Sequence, residues 1–251
     1  MICYLCAEPV PDGEPFYNDH DKFVCKPCFN EAQRCFICRF PGRKLEPVEG
    51  LGLECEFCRG NLIAPETEVE TLLEPLRGYM KRYAMKAPES VSLKQVSWRE
   101  LREMQTGEDL KPPEFIDDFL RYAYPVYFHD GDFYLLNRMT RQCFMAYMVV
   151  QMGVADIARR YDLPNLAQRT PFHTFTRGWC HWLGYEAANL LKYDLEKRQL
   201  KKWPELGGMG EFERWERMSR LNTTKKMISF FRASLGPLAR KHLEKNTATI
   251  H

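Results

Sequence analysis

The stretch CFICRFPGRKLEPVEGLGLECEFC, residues 35–58, contains two C-x-x-C pairs that are separated by sixteen residues. The stretch CYLCAEPVPDGEPFYNDHDKFVCKPC, residues 3–28, begins thirty-two positions earlier and has the same layout, with eighteen residues between its pairs. Two C-x-x-C pairs supply the four sulfur ligands of a tetrahedral zinc site, and both spacings are typical of such sites. The sequence therefore predicts two structural zinc ions.

The repeat also predicts which cysteines share an ion. Because CYLC matches CFIC and CKPC matches CEFC, we expect each unit to hold its own ion. A cross-brace, in which alternate pairs share ions, stays open on spacing alone. The favoured ligand sets are Cys3, Cys6, Cys25 and Cys28 for the first ion, and Cys35, Cys38, Cys55 and Cys58 for the second.

The residues around the pairs indicate treble-clef fingers, in which a knuckle and a hairpin precede a short helix. Residues 11–13 (PDG) and 41–42 (PG) predict the hairpin turns, and a helical segment follows each second pair. So few apolar residues cannot fold alone, and zinc contributes on the order of 10 kcal/mol per site in finger peptides. Four sulfurs leave no position for water or substrate, so we expect both ions to be structural.

The overall composition favours a cytoplasmic protein. The 251 residues include 36 basic and 34 acidic side chains, so the whole chain has no general attraction to polyanions. The charge is uneven, since residues 192–251 hold 14 basic against 7 acidic residues. No apolar stretch is long enough to span a membrane, and MICYLCAEP lacks the features of a signal peptide. In a reducing cytosol, paired C-x-x-C motifs favour metal over disulfides.

Hydrophobic periodicity beyond the cysteines predicts an α+β fold that is mostly helical. We expect a two-zinc module at 1–62, a helical linker at 63–112 and a helical domain at 113–251. VYFHDGDFYLL, residues 126–136, predicts two strands around an Asp-Gly turn. The predicted helices cover residues 66–85, 97–104, 138–160 and 172–202, with two more on either side of Gly236-Pro237. The inner stripe of the 172–202 helix is predicted to be Phe172, Phe175, Trp179, Trp182, Leu183, Leu190 and Leu191.

The order of these features resembles a known family. The finger pair, the linker, the strand, the buried helix, Pro164-Asn165-Leu166 and Gly178-Trp179-Cys180 are similar to the LIM-domain zinc peptidases that ubiquitin activates in plants, and to their bacterial relatives. The resemblance implies a zincin-like domain. In that family, the buried helix carries His-Glu-x-x-His and the next helix supplies a glutamate as the third zinc ligand. The finger spacing departs from the family, with six residues between Cys28 and Cys35 where a LIM domain has two.

When this sequence is aligned on these shared motifs, the catalytic residues of the family are absent from it. Gln151, Met152 and Ala155 stand where the resemblance puts His, Glu and His, and Thr176 and Arg177 stand at the third ligand. Ala155 cannot bind an ion, Met152 cannot take a proton, and Arg177 would repel a dication. The resemblance therefore implies a peptidase fold that has lost its catalytic zinc, with a vestigial groove near Gln151 and Arg177.

A second possible reaction centre lies on the 172–202 helix. His173, His181 and Glu186 would be metal ligands of an unorthodox hydrolase, or His181 would act as a base for Cys180. Residues 180 and 181 point about 100° apart on a helix, and His173 and His181 are two turns apart, so half-buried polar roles are favoured.

The interpretation that the sequence favours is a zinc-binding, non-catalytic interaction protein whose partner is another protein. The alternatives are a nucleic-acid-binding zinc-finger protein, with phosphate contacts from the basic C-terminal part, and the unorthodox metallohydrolase.

Overall fold

The structure is a computed structural model. It describes residues 1–11, 16–19, 22–48, 52–63, 66–89, 91–106, 125–161, 171–201 and 209–248. The Pro164-Asn165-Leu166 corner lies outside these residues, and the predicted turn at Pro11-Asp12-Gly13 lies partly outside them. The prediction of a hairpin turn at 11–13 is wrong, because the first hairpin pairs Asp19 with Lys22 at its turn end. The fold is mixed α+β and mostly helical, as the sequence predicts.

Each zinc unit consists of a knuckle, an antiparallel hairpin and a short helix, in the predicted order. The first unit contains β1 (Phe16–Asp19), β2 (Lys22–Cys25) and α1 (Lys26–Glu31), and the second contains β3 (Leu45–Val48), β4 (Gly52–Cys55) and α2 (Glu56–Gly60). The prediction of a hairpin turn at Pro41-Gly42 is wrong, because the second hairpin reverses between Val48 and Gly52. Pro41 instead closes the knuckle through a bridge to Arg34.

Two helices lead from the zinc units to the larger domain. They are α3 (Glu66–Arg82), which contains Pro75, and α4 (Trp98–Thr106). The N-terminus of α4 is the capping box that the sequence predicts, since Ser97 N donates to Glu100 Oε2 over 2.8 Å and Glu100 N donates to Ser97 Oγ over 3.4 Å.

A three-stranded sheet lies beside α4, with the order β5-β7-β6. The predicted hairpin is formed by β6 (Val126–His129) and β7 (Asp132–Leu136). Its turn residues Asp130 and Gly131 both have positive φ, 49° and 88°, which suits an Asp-Gly hairpin turn. The third strand, β5 (Leu93–Val96), pairs with β7 in parallel and was not predicted from the sequence.

The core is built around two long helices, α5 (Arg141–Arg160) and α6 (Pro171–Leu190). Glycines let them approach closely, because a Cβ on Gly153 would lie 2.8 Å from Cys180 Sγ, and one on Gly184 would lie 2.9 Å from Ala146 O. The buried face of α6 carries the tryptophans that fill the core. The Trp179 ring lies 4.6 Å from Trp215 and 5.0 Å from Trp182.

The C-terminal part consists of α7 (Asp194–Lys201), α8 (Met209–Leu221) and α9 (Thr224–Ala248). The single helix predicted over 172–202 is therefore wrong, since Lys192 adopts a positive φ of 59° and ends α6. Tyr193 N then donates to Ala188 O over 2.8 Å, in the manner of a Schellman cap.

Two further expectations about this part are corrected. Leu190 and Leu191, predicted to face inward, are 57 % and 39 % exposed because they lie at the helix end. The last two helices meet at Asn222-Thr223 instead of Gly236-Pro237, and α9 continues through Pro237. Within the described residues, every helix is too short or too polar to cross a membrane.

Candidate metal centre

The first cysteine tetrad lies where the first knuckle faces the junction of β2 and α1. The Sγ atoms of all four members lie within 4.8 Å of one another, and those of Cys6 and Cys25 are 4.0 Å apart. Cys3 and Cys6 come from the knuckle, whereas Cys25 ends β2 and Cys28 lies in α1. This arrangement collects four sulfurs from two short segments around one point.

The second tetrad has the same construction. Its four Sγ atoms also lie within 4.8 Å of one another, and those of Cys38 and Cys55 are 3.8 Å apart. Zinc-sulfur bonds of about 2.3 Å in a tetrahedron require sulfur-sulfur distances of about 3.8 Å. Both tetrads therefore fit a zinc ion, and the structure confirms two four-cysteine groups with the sequential ligand sets instead of the cross-brace.

The knuckle backbone explains how a C-x-x-C segment directs both sulfurs to one point. Ala7 N donates to Cys3 O over 2.9 Å, and Arg39 N donates to Cys35 O over 2.9 Å. Ala7 and Arg39 follow the second cysteine of their pairs and have positive φ values of 64° and 63°. The two knuckles are thus the same local structure, which supports the repeat that the sequence shows.

Backbone N–H groups also point at ligand sulfurs. Cys25 N donates to Cys3 Sγ over 3.4 Å, and Cys58 N donates to Cys55 Sγ over the same distance. Such hydrogen bonds stabilise negative charge on a thiolate, which is the form of cysteine that binds metal.

The thiols of the second tetrad strongly perturb one another. Hydrogen bonds with Cys38, Cys55 and Cys58 lower the pKa of Cys35, whereas the hydrogen bonds of Cys58 with the same cluster raise its pKa. Four sulfurs packed this closely cannot all be charged without a cation, and a dication removes that conflict.

Arg39 places positive charge beside the second tetrad. Burial, and then the charge of Arg34, lower the pKa of Arg39, while the charge of Cys35 and Cys38 raises it. A zinc ion with four thiolates has a net negative charge, so the neighbouring Arg39 guanidinium offsets it. Sequence reasoning missed this role, although Arg39 directly follows Cys38.

The two tetrads differ in their exposure. All four cysteines of the second tetrad are buried, whereas Cys6 is exposed and Cys25 and Cys28 are partly exposed. The second unit also makes contacts with the helical domain.

The second unit is joined to the start of α5 by an ion pair and by backbone contacts. The buried carboxylate of Glu54, in β4, forms an ion pair with Arg138. Ile63 N donates to Met139 O over 2.9 Å, and Leu62 forms a β-bridge with Thr140. Thr140 is also the N-cap of α5, so the zinc unit and the core helix share one junction. Sequence reasoning missed this ion pair, because its members lie 84 residues apart.

The residues of the second possible reaction centre do not come together. His181 Nε2 lies 2.6 Å from Leu200 O, and burial lowers the pKa of His181 to about 4, so the neutral ring donates this hydrogen bond. Burial raises the pKa of Cys180, whose sulfur faces Gly153. His173 and Glu186 join no metal-binding group, since the two tetrads are the only such groups among the described residues.

The five positions that the resemblance assigns to a vestigial groove lie on α5 and α6. Gln151 is 3 % exposed, and its Oε1 accepts a hydrogen bond of 3.1 Å from Phe128 N on the edge strand β6. Met152, Ala155 and Thr176 are also buried, and Thr176 Oγ1 donates to His173 O. Arg177 is half-buried and is the most accessible of the five.

A scan against protein-family models, a search of curated proteins and a search of solved structures each found no match to this chain. The resemblance to the LIM-domain zinc peptidases therefore stays a prediction.

Proposed function

We propose that this chain is a non-catalytic, zinc-binding interaction protein. Two structural zinc ions shape its N-terminal module, and the helical domain binds a protein partner. The observation that carries the proposal is the composition of the two tetrads, because four protein sulfurs per ion leave no coordination position for a substrate or a reactive water.

The attachment of the second zinc unit supports a scaffolding role for the metal. Its ion pair between Glu54 and Arg138 and its bridge at Thr140 fix the zinc unit to the N-terminus of α5. An ion bound there stabilises both the finger and the start of the main core helix, in the manner of structural zinc sites.

The positions that would carry peptidase chemistry are occupied by side chains with packing or structural roles. Gln151 holds the edge strand β6 against α5, and Met152 and Ala155 are buried in the core. We therefore extend the proposal to a pseudo-peptidase, in which a partner contacts the surface at Arg177. The unorthodox metallohydrolase has no such support. His181 Nε2 donates its hydrogen bond to the backbone oxygen of Leu200, and among the described residues His181 belongs to no group of possible metal ligands.

The test compares Arg177→Glu with Arg99→Glu, a control at an exposed position of α4. Partners are first identified by proximity labelling, and each is then purified and titrated calorimetrically against the zinc-loaded wild type and both variants. We expect Arg177→Glu to weaken binding by at least about tenfold, as charge reversal does at interfaces, while circular dichroism shows that the domain is still folded. Equal affinities for all three proteins would overturn the proposed surface, and metal-dependent peptide hydrolysis by the wild type would overturn the non-catalytic role.

A further inference from the structure

The C-terminal helix α9 has one exposed face on which every charge of the described side chains is positive. We define the basic face as Lys225, Lys226, Arg232 and Arg240, all of which are exposed. At about 100° per residue these four lie within an arc of about 120°, and a rise of about 1.5 Å per residue spreads them over about 22 Å. Four cations thus form a row along one side of a rigid element.

Burial of the opposite side fixes the orientation of this row. Met227, Phe231, Leu235 and Ala239 are each 2 % exposed. The Phe231 ring stacks on Trp179 of α6 at 4.4 Å, which anchors α9 to the core. The helix therefore cannot roll to hide its cations.

Among the described residues, no acidic side chain neutralises the basic face. Glu244 is the only acidic residue in the sequence of α9, and the four cations form no ion pair with any residue that the structure describes. On the preceding helix α8, Glu211 is paired with Arg214, and Glu216 with Lys201 and Arg220, while the exposed Glu213 forms no ion pair with the four cations. Arg214 also lies over Phe230 at the flank of the face, adding to the positive charge there.

The start of α9 increases the positive potential further. Lys225 and Lys226 occupy its first turn, which contains no acidic residue. The helix dipole is positive at this end and disfavours cations, so the arrangement opposes folding and is relieved by an external anion.

The residues between the cations indicate which polyanion fits. Ser229, Ala233 and Gly236 lie between them and are small, so the face is a polar strip with no aromatic anchor among its described residues. A protein partner is bound through buried aromatic and apolar anchors, a membrane through inserted apolar residues, and single strands through aromatic stacking. A row of fixed cations that lacks apolar anchors and stacking aromatic rings suits the phosphates of a rigid duplex.

We propose that the basic face of α9 binds the phosphate backbone of double-stranded nucleic acid, without reading its sequence. The basic face shares no residue with the zinc tetrads and does not include Arg177, and its role goes beyond the proposed protein interaction.

The test measures fluorescence anisotropy of a labelled duplex of about 20 base pairs with the full-length, zinc-loaded chain over a range of salt concentrations. Four phosphate contacts predict a slope of log K against log salt of about −3 to −4. In the variant Lys225→Gln/Lys226→Gln/Arg232→Gln/Arg240→Gln we expect at least about tenfold weaker binding at low salt and a nearly flat slope. Glutamine favours helix, and circular dichroism checks that α9 persists.

The matched control removes four exposed cations elsewhere, in the variant Lys81→Gln/Arg82→Gln/Arg99→Gln/Arg217→Gln. It should keep most of the wild-type affinity and slope. Equal losses in the two variants would overturn the proposal, as would absence of duplex binding by the wild type. Tighter binding to the single strand, or to anionic vesicles without duplex binding, would also contradict it.

Discussion

At the scale of single residues, burial gives one histidine a defined protonation state. His181 is 5 % exposed, its Nε2 donates to Leu200 O, and its pKa is lowered to about 4 by burial. An unfolded histidine has a pKa of about 6.5, so between these values the unfolded chain binds more protons than the folded one. The stabilising contribution of neutral His181 is complete above about pH 6.5 and is lost as the pH falls toward 4.

His181→Gln should therefore flatten the pH dependence of stability, because Gln can still donate to Leu200 O but does not titrate. We expect the wild type to lose about 2 kcal/mol more than the variant between pH 7 and pH 5. Urea unfolding followed by circular dichroism measures this difference, and loss of zinc at low pH affects both proteins alike. An unchanged slope in His181→Gln would contradict the assignment.

The ion pair between Glu54 and Arg138 is the second residue-scale feature with a measurable effect. The Glu54 side chain is 1 % exposed and that of Arg138 is 38 % exposed. Arg138→Met leaves a buried carboxylate without its cation, and we expect a loss of about 2 kcal/mol or more after allowing for solvent screening at Arg138. The double variant Glu54→Gln/Arg138→Met removes that charge and should recover much of the loss in chemical unfolding. A double variant less stable than Arg138→Met would show that the unpaired carboxylate of Glu54 does not cause the loss of stability in Arg138→Met.

At the scale of elements, close approach of helices depends on particular glycines. A Cβ on Gly178 of α6 would lie 2.4 Å from Glu211 Cβ and 3.0 Å from Phe212 N of α8, so the helices would have to separate. A Cβ on Gly78 of α3 would have nothing within 4 Å among the described residues, so alanine meets no neighbour there.

Gly178→Ala should accordingly destabilise the protein by about 1–3 kcal/mol through overpacking. Gly78→Ala makes the same chemical change without a clash and should stabilise α3 by about 0.5–1 kcal/mol, since alanine favours helix. Thermal unfolding of the two variants beside the wild type measures both effects. Gly178→Ala as stable as Gly78→Ala would contradict the close contact between α6 and α8.

Elements with strong local signals were predictable from the sequence. The capping box at Ser97 and the Asp130-Gly131 turn are encoded within a few residues, and both are confirmed. The strand β5 was missed because LKQV is short and half-exposed, and its partner β7 lies about forty residues further along the chain. The break after α6 was missed because Lys192, at positive φ, is not the glycine that usually marks such an end.

At the scale of the whole molecule, the two zinc units have unequal surroundings. The second is built into the helical domain through Glu54, Ile63 and Thr140, whereas the first has an exposed ligand, Cys6. The ligands themselves were predictable because C-x-x-C spacing is local. The attachment of the second zinc unit to the helical domain was not predictable, because it depends on residues that folding brings together from distant parts of the chain.

The most direct test of the central claim, that two closed four-sulfur sites are independent structural elements, is a zinc count by mass spectrometry on purified protein. We expect two zinc ions per chain in the wild type and one in Cys3→Ser/Cys6→Ser. The helical circular dichroism signal of this variant should match the wild type, because the intact second unit holds the junction with α5. A third tightly bound ion in the wild type, or loss of both ions in the variant, would contradict the account.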